Sequence, residues 1–314
     1  MEERAYGALL GWFTGDGFGS QSEGRDVQEI ADLAPDGLAE VYTLESLNEL
    51  CGMSGEASDL SVLLALSMLD NKALLADHVK ASYRRYAKCE DAELSAALAS
   101  SLAKEASNTE SAVMLSRSVV MGLALVGKST KQQAMLSRTE SSLFSTSSLA
   151  QDAAFLMSLA FSLVIAEKAE SALMLLRLLQ QHCTKLGMDE KLCMMLKTCM
   201  ARKAIPQYEG KQQSMILPVM DTVFSTLLLS DSYEAGVSLL ASRGGNARLS
   251  CALFGGLAAG MAGSGAVPER WVDELFVSPA LDELIKKQTL FKRETIRMEK
   301  LARTLAGSLL DLEI

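Results

Sequence analysis

Residues 234–271 read EAGVSLLASRGGNARLSCALFGGLAAGMAGSGAVPERW, a stretch that is rich in glycine and alanine. The pattern predicts two helices separated by residues 243–246, because glycine accepts the positive φ that ends a helix and asparagine is favoured at helix N-caps. The second helix carries small residues, which are Gly255, Gly256, Ala258, Ala259, Gly260 and Ala262. Since glycine makes a helix costly, the pattern indicates that another backbone or a ligand comes close.

The start of this second helix is a candidate ligand site. Gly244 and Gly245 open it and Asn246 follows, so the first amides of the helix could be free to bind an anion or a polar ligand. The alternative is a tightly packed core helix preceded by a glycine cap.

Composition favours an all-helical fold. Of the 314 residues, 49% are hydrophobic but only 5% are aromatic, so the core is built mainly from residue types that favour helix. No segment alternates convincingly as a strand would. Residues 25–56 are predicted to be irregular and 137–151 to be a connection rich in serine and threonine. Helices are predicted at 3–18, 59–70, 73–87, 91–105, 111–126, 130–137, 149–167, 169–186, 188–203, 219–229, 232–241, 246–262 and 279–311.

Charge and cysteine usage exclude several classes of protein. The net charge is −9, with no basic stripe, which argues against nucleic-acid binding. The six cysteines form no CxxC pair and there are two histidines, so a cysteine–histidine zinc site is not expected. Neither a secretory signal nor an uninterrupted membrane span is evident. We expect a cytoplasmic protein in a reducing compartment, either a monomer or a small homo-oligomer.

Two acidic positions near the first predicted helix are candidate catalytic residues. Asp16 lies among Gly15, Gly17 and Gly19, and Glu23 follows shortly afterwards. A carboxylate beside a glycine-rich turn is accessible to chemistry, but the same pattern fits a helix end with a surface acid. Asp59, at the start of the next apolar helix, suits the helix dipole by itself.

Taken together, these blocks resemble the ADP-ribosylglycohydrolase family. The segment 7–23 is similar to the family's GALLG…GDA-G…E opening, 244–249 to its GGDADT run, and 267–271 to its IPERW close. The resemblance covers nearly the whole chain and implies one domain over 1–314, a compact all-helical bundle. It also implies two central magnesium ions that help to cleave the bond between ADP-ribose and a protein side chain.

The chain departs from the family where the resemblance places the metal ligands. A family TDD run is replaced by an Ala-Ser-Asp run that contains Ser58 and Asp59. In the second run the two acids become Asn246 and Arg248, and the threonine becomes Leu249. Because magnesium requires several oxygen ligands, no metal cofactor is expected. The guanidinium of Arg248 is predicted to take the metal's place and to pair with Asp59 or Asp16.

The resemblance also suggests ligand-binding residues outside these two runs. The family's glycine-rich loop at the diphosphate corresponds loosely to 111–113, and its following arginine to Arg117. Ser145 and Thr146 stand where the family has a Thr-His pair.

Three functions follow from these residues. The first is a family member that is impaired in two-metal hydrolysis or has lost it. Its remaining function would be binding, regulatory or structural, with ADP-ribose, a related nucleotide or an ADP-ribosylated protein as the ligand. The second is an active metal-independent hydrolase, in which Glu23 or Asp16 is the general base and Arg248 stabilises the phosphate or ribose. The third is a helical structural or interaction domain without a small-molecule site.

Overall fold

The structure, a computed structural model, describes residues 1–41, 51–288 and 296–314. Within these ranges the chain forms α-helices and short 3-10 turns, with isolated bridges but no β-strand. The predicted all-helical fold is therefore confirmed. The α-helices are α1 (Glu2–Gly19), α2 (Val27–Leu33), α3 (Glu56–Asn71), α4 (Ala76–Tyr86), α5 (Ala96–Ala103), α6 (Ser118–Ala124), α7 (Thr130–Ser142), α8 (Ser148–Ile165), α9 (Ala172–Lys185), α10 (Glu190–Ala201), α11 (Ile216–Leu229), α12 (Tyr233–Ala241), α13 (Ala247–Ala262), α14 (Glu269–Val272), α15 (Pro279–Ile285) and α16 (Met298–Leu310).

The pairing of α1 with α13 forms the centre of the fold. A Cβ added to Gly11 would lie 2.3 Å from the carbonyl oxygen of Gly255, and one added to Gly15 would lie 2.2 Å from that of Cys251. The two helices run antiparallel with their backbones in contact, which is possible only with a row of glycines. The small residues of α13 thus allow the backbone of α1 to lie against it. The row on α1 consists of Gly7, Gly11, Gly15 and Gly19.

Large aromatic side chains fill the space on either side of this pair. Trp12 of α1 meets Phe161 of α8 edge to face, with ring centroids 5.9 Å apart, and Phe18 packs on Trp271 at 4.2 Å. Of the described helices, only α8 is long and apolar enough to cross a membrane, but most of it is buried inside the structure. Burial of that kind is expected of a core helix.

Several predicted boundaries are wrong. The single helix predicted at 279–311 is two helices, since α15 ends at Ile285 and α16 begins at Met298; residues 289–295 lie outside the described residues. The predicted irregular segment 25–56 contains α2, whose cap Asp26 accepts a hydrogen bond from the amide of Glu29 at 2.8 Å. Its residues 42–50 also lie outside the described residues.

Two further differences concern α7 and the cysteines. Helix α7 continues to Ser142, which shortens the serine-rich connection, and a capping box at Ser129 fixes its start. Cys183 of α9 and Cys193 of α10 form a disulfide, with their Cα atoms 5.8 Å apart. Disulfides persist in oxidising surroundings, so this pair removes part of the basis for predicting a reducing compartment, which stays a prediction.

Candidate functional site

A cavity of about 440 Å³ lies between the starts of α3 and α13. Its wall combines apolar surface, from residues such as Leu94, Val113 and Leu249, with charged side chains and the hydroxyl groups of four serines. The serines are Ser95, Ser111, Ser116 and Ser214. The charged lining residues are Glu23, Glu56, Glu93 and Arg248.

Glu23 caps helix α13 from a distant part of the sequence. Its carboxylate accepts a hydrogen bond from the amide of Arg248 at 2.8 Å, in the first turn of the helix. Asn246 occupies the N-cap position, as predicted, but its side chain makes no capping hydrogen bond with the described residues. Glu23 is exposed to solvent at the cavity wall. Burial raises the pKa of Glu23 to about 7, opposed by the Arg248 amide and guanidinium.

Asp16 caps the start of helix α3. Its side chain is fully buried, and Oδ2 accepts hydrogen bonds from the amides of Gly55 at 2.9 Å and Ser58 at 3.2 Å. The other carboxylate oxygen, Oδ1, lies 3.4 Å from Nη1 of Arg248. Both carboxylate oxygens of Asp16 are therefore engaged by donors of the chain itself.

Arg248 joins the starts of the two helices. Nη1 donates to the carbonyl oxygen of Met53 at 2.8 Å, besides pairing with Asp16, and Nη2 lies 4.0 Å from Glu93. Only 13% of the Arg248 side chain is exposed. A Cβ on Gly55 would lie 2.7 Å from Nη1, so the guanidinium fits because position 55 is glycine. The predicted pairing with Asp16 is confirmed.

Asp59 is held by three hydroxyl groups instead of by Arg248. It accepts hydrogen bonds from Ser54 at 2.6 Å, Tyr86 at 2.8 Å and Ser278 at 2.5 Å. Burial raises the pKa of Asp59 to about 6, although these hydroxyl donors act to lower it. The alternative that Arg248 pairs with Asp59 is thus wrong, since the carboxylate has other partners.

Glu56 is a cavity residue that the sequence analysis missed. It lies in the first turn of α3, and its carboxylate accepts hydrogen bonds from the amide and hydroxyl of Ser95 at 2.9 and 3.0 Å. Burial raises the pKa of Glu56 to about 7, against the effect of the Ser95 bonds. Its position directly before the Ala-Ser-Asp run could have identified Glu56 as a site residue.

The structure does not bring Arg117, Ser145 or Thr146 to the cavity wall. Arg117 is fully buried, where it pairs with Glu140 and lies 4.8 Å from the ring centroid of Phe144. The hydroxyl of Ser145 donates to a backbone carbonyl at 2.6 Å, and Thr146 is exposed to solvent. The neighbouring Ser111 and Ser116 line the cavity instead.

The two glycines before α13 form a loop against residues 24–25. Both Gly244 and Gly245 have φ of +62°, as predicted for the end of the preceding helix. The amide of Gly245 donates to the carbonyl oxygen of Arg25 at 2.9 Å, and Gly24 donates back to Gly245 at 2.8 Å. Gly244 borders a separate space of about 40 Å³. The amide of Gly245 is therefore used by the chain.

The remaining substituted positions offer little to a cation. Leu249 contributes apolar wall, and Ser58 is buried. Across residues 1–41, 51–288 and 296–314, no group of three or more histidine, cysteine or acidic side chains is arranged to hold a metal ion. The donors that surround Asp16 are two amides and a guanidinium, a set that does not fit magnesium.

The fold and this cavity define an all-helical protein with a polar site at the starts of two central helices. The sequence model of the ADP-ribosylglycohydrolase family matches residues 1–300. The chain therefore belongs to the ADP-ribosylglycohydrolase family. Comparison with curated protein sequences gives no match. A solved structure described as an ADP-ribosylglycohydrolase-related protein complex has a similar fold, with a TM-score of 0.72, 18% identity and 98% of each chain covered.

Proposed function

We propose that this family member binds a ligand in the 440 Å³ cavity and does not carry out hydrolysis that depends on two magnesium ions. The ion pair between Arg248 and Asp16, at 3.4 Å, carries this proposal. A guanidinium beside the buried carboxylate repels a divalent cation and satisfies the carboxylate. The positive charge is built into the chain, so the site has no requirement for an ion.

The ligand proposed on family grounds is ADP-ribose or an ADP-ribosylated protein. The cavity supports a ribose because carboxylates and serine hydroxyls can accept and donate hydrogen bonds to sugar hydroxyls. An open cavity of this size also favours a small-molecule site over a purely structural helical domain.

One observation favours metal-independent hydrolysis as a second candidate. Glu23 and Glu56 line the cavity, and burial raises the pKa of both to about 7, which suits general acid–base catalysis near neutral pH. Glu23 is the better placed of the two acids named from the sequence, because both oxygens of Asp16 already have donors.

A thermal-shift titration with ADP-ribose, with and without magnesium, tests the proposal. We expect ADP-ribose to raise the melting temperature equally in magnesium and in chelator, because ligand that binds the native state stabilises it by mass action. A shift that requires magnesium would overturn the proposal. Release of ADP-ribose from a modified protein in chelator, abolished by Glu23→Gln, would instead establish the second candidate.

A further inference from the structure

Arg243, at the end of α12, is a partly buried arginine that pairs with no carboxylate among the described residues. Its guanidinium donates to two backbone carbonyl oxygens, from Nη1 to Pro206 at 2.7 Å and from Nη2 to Ile205 at 3.2 Å. Nε is buried and has no hydrogen-bond partner within the part of the chain that the structure describes. Burial lowers the pKa of Arg243. Its positive charge is therefore held by dipoles of the backbone and not by an acid.

Other arginines of the interior are neutralised by the chain itself. Arg117 pairs with Glu140, Arg202 with Asp221 and Arg248 with Asp16. The net charge of the protein is −9, so acids are plentiful. Because a buried charge without a counter-charge is costly, an anion bound beside Arg243 would stabilise the folded state.

The separate space of about 40 Å³ beside Gly244 offers room for such an anion. Arg243 lines this space, and none of the described residues that line it is acidic. Its polar wall also includes Gln213, Asn246 and Ser250. Ser250 is only 9% exposed, and these three side chains have no hydrogen-bond partner among the described residues. One positive charge thus faces the same small space as a hydroxyl and two amides that can donate.

The acid nearest to this wall in the hydrogen-bond network is already used. Tyr208, which lines the space, donates to Asp221, and Asp221 also accepts from Arg202 and from the thiol of Cys199. Asp221 itself lines a different cavity, on the other side of Tyr208. The charge of Arg243 is therefore available to a ligand.

We propose that this space binds a small inorganic anion of the size of chloride, between Arg243, Ser250, Gln213 and Asn246. The guanidinium supplies the counter-charge, and the hydroxyl and amides donate hydrogen bonds. Since a water needs roughly 10–15 Å³ of such volume, the space accepts a small ion and excludes a nucleotide. The site does not depend on a ligand in the 440 Å³ cavity. The 3-10 turn Gly210–Ser214 nevertheless joins the two, because Gln213 lines the small space and Ser214 the large one.

Broadening of the chloride NMR signal by the whole protein tests this inference, since an ion held by a macromolecule relaxes much faster than a free one. We expect the wild type to broaden the signal at constant ionic strength. Bromide, with the same charge and a similar size, should reverse the broadening by displacing chloride. Gluconate should not, because an organic anion of its size does not fit the space.

Three variants locate the ion. Arg243→Gln removes the charge and keeps an N–H for the backbone carbonyls, and it should abolish the broadening. Ser250→Ala should weaken chloride binding by about tenfold, because a hydrogen bond to a charged group is lost. Arg177→Gln is the matched control, an exposed arginine of α9, and should behave as the wild type does.

The inference is overturned if the wild type does not broaden the signal, or if gluconate displaces chloride as well as bromide does. Unaltered broadening by folded Arg243→Gln would also overturn it. Should that variant fail to fold, Ser250→Ala decides, because it leaves the charge and the backbone contacts of Arg243 in place; wild-type affinity in Ser250→Ala would then reject the site.

Discussion

Gly55 and Arg248 are matched in shape, because a Cβ at position 55 would lie 2.7 Å from Nη1 and 2.9 Å from the central guanidinium carbon. The backbone of Gly55 has negative φ, so alanine would be allowed there by conformation alone. Glycine at position 55 therefore leaves the space that the guanidinium of Arg248 occupies. It keeps Arg248 against Asp16, where the resemblance places a metal ion.

Gly55→Ala should destabilise the protein by about 1–3 kcal/mol, because the added methyl group displaces Arg248 from Asp16. Urea denaturation measures the change, with Gly265→Ala as a control, since a Cβ there meets no atom within 4 Å. In the Arg248→Ala background the same substitution should cost clearly less, because the clash is gone. Equal costs in both backgrounds would contradict the proposed fit.

Restoring the family's acids should restore magnesium binding. The variant combines Ser58→Asp, Asn246→Asp, Arg248→Asp and Leu249→Thr, which replaces the guanidinium by oxygen ligands. Magnesium should raise its melting temperature, whereas the wild type and Arg248→Ala should show no shift. If the quadruple variant folds without any response to magnesium, the loss of these four side chains does not explain the proposed loss of the metal site.

The α1–α13 contact predicts opposite effects for one chemical change at two glycines. Gly11→Ala places a methyl group 2.3 Å from the Gly255 carbonyl oxygen and should cost about 3 kcal/mol or prevent folding. Gly307→Ala, in helix α16 with no atom within 4 Å, should stabilise by about 0.5–1 kcal/mol. Chemical denaturation of both variants checks this, and a tolerated Gly11→Ala would contradict the backbone contact.

Sequence reasoning recovered the features that depend on local pattern. Small residues in α13 indicated a close neighbour. The replaced family acids indicated that Arg248 pairs with Asp16 or Asp59, and the structure shows the pair with Asp16. The four-residue spacing of glycines in α1 was also visible in the sequence, but its partner helix was not. A row of small residues specifies a close approach without saying which backbone approaches.

Contacts between distant parts of the chain could not be predicted in the same way. Glu23 caps a helix that begins more than 200 positions later, and Asp16 caps α3, which begins only at Glu56. An aspartate or glutamate that caps a helix looks the same in the sequence as one that acts in catalysis. The division between α15 and α16 was missed because the leucine spacing of residues 279–311 suits one continuous helix.

Glu56 should make stability depend on pH near neutrality. Burial raises its pKa from an unfolded value of 4.5 to about 7, so the folded state holds its proton more tightly than the unfolded state. Its contribution is fully present below the unfolded pKa and is lost as the pH rises through the folded pKa. The melting temperature of Glu56→Gln relative to wild type should therefore increase between about pH 5 and pH 8. A pH-independent difference would place the Glu56 pKa near its ordinary value.

Glu140→Gln should destabilise the protein by about 3–5 kcal/mol, because it leaves Arg117 buried without a compensating charge. Replacing both partners, by Arg117→Met with Glu140→Leu, should cost far less, since neither charge remains to be desolvated. Glu283→Gln, which breaks an exposed pair with Lys287, provides the control and should cost far less than Glu140→Gln. Urea denaturation measures all three. The folded double variant should also keep the affinity of the wild type for the cavity ligand; a loss of binding would return Arg117 to the ligand-binding role that the family resemblance implies.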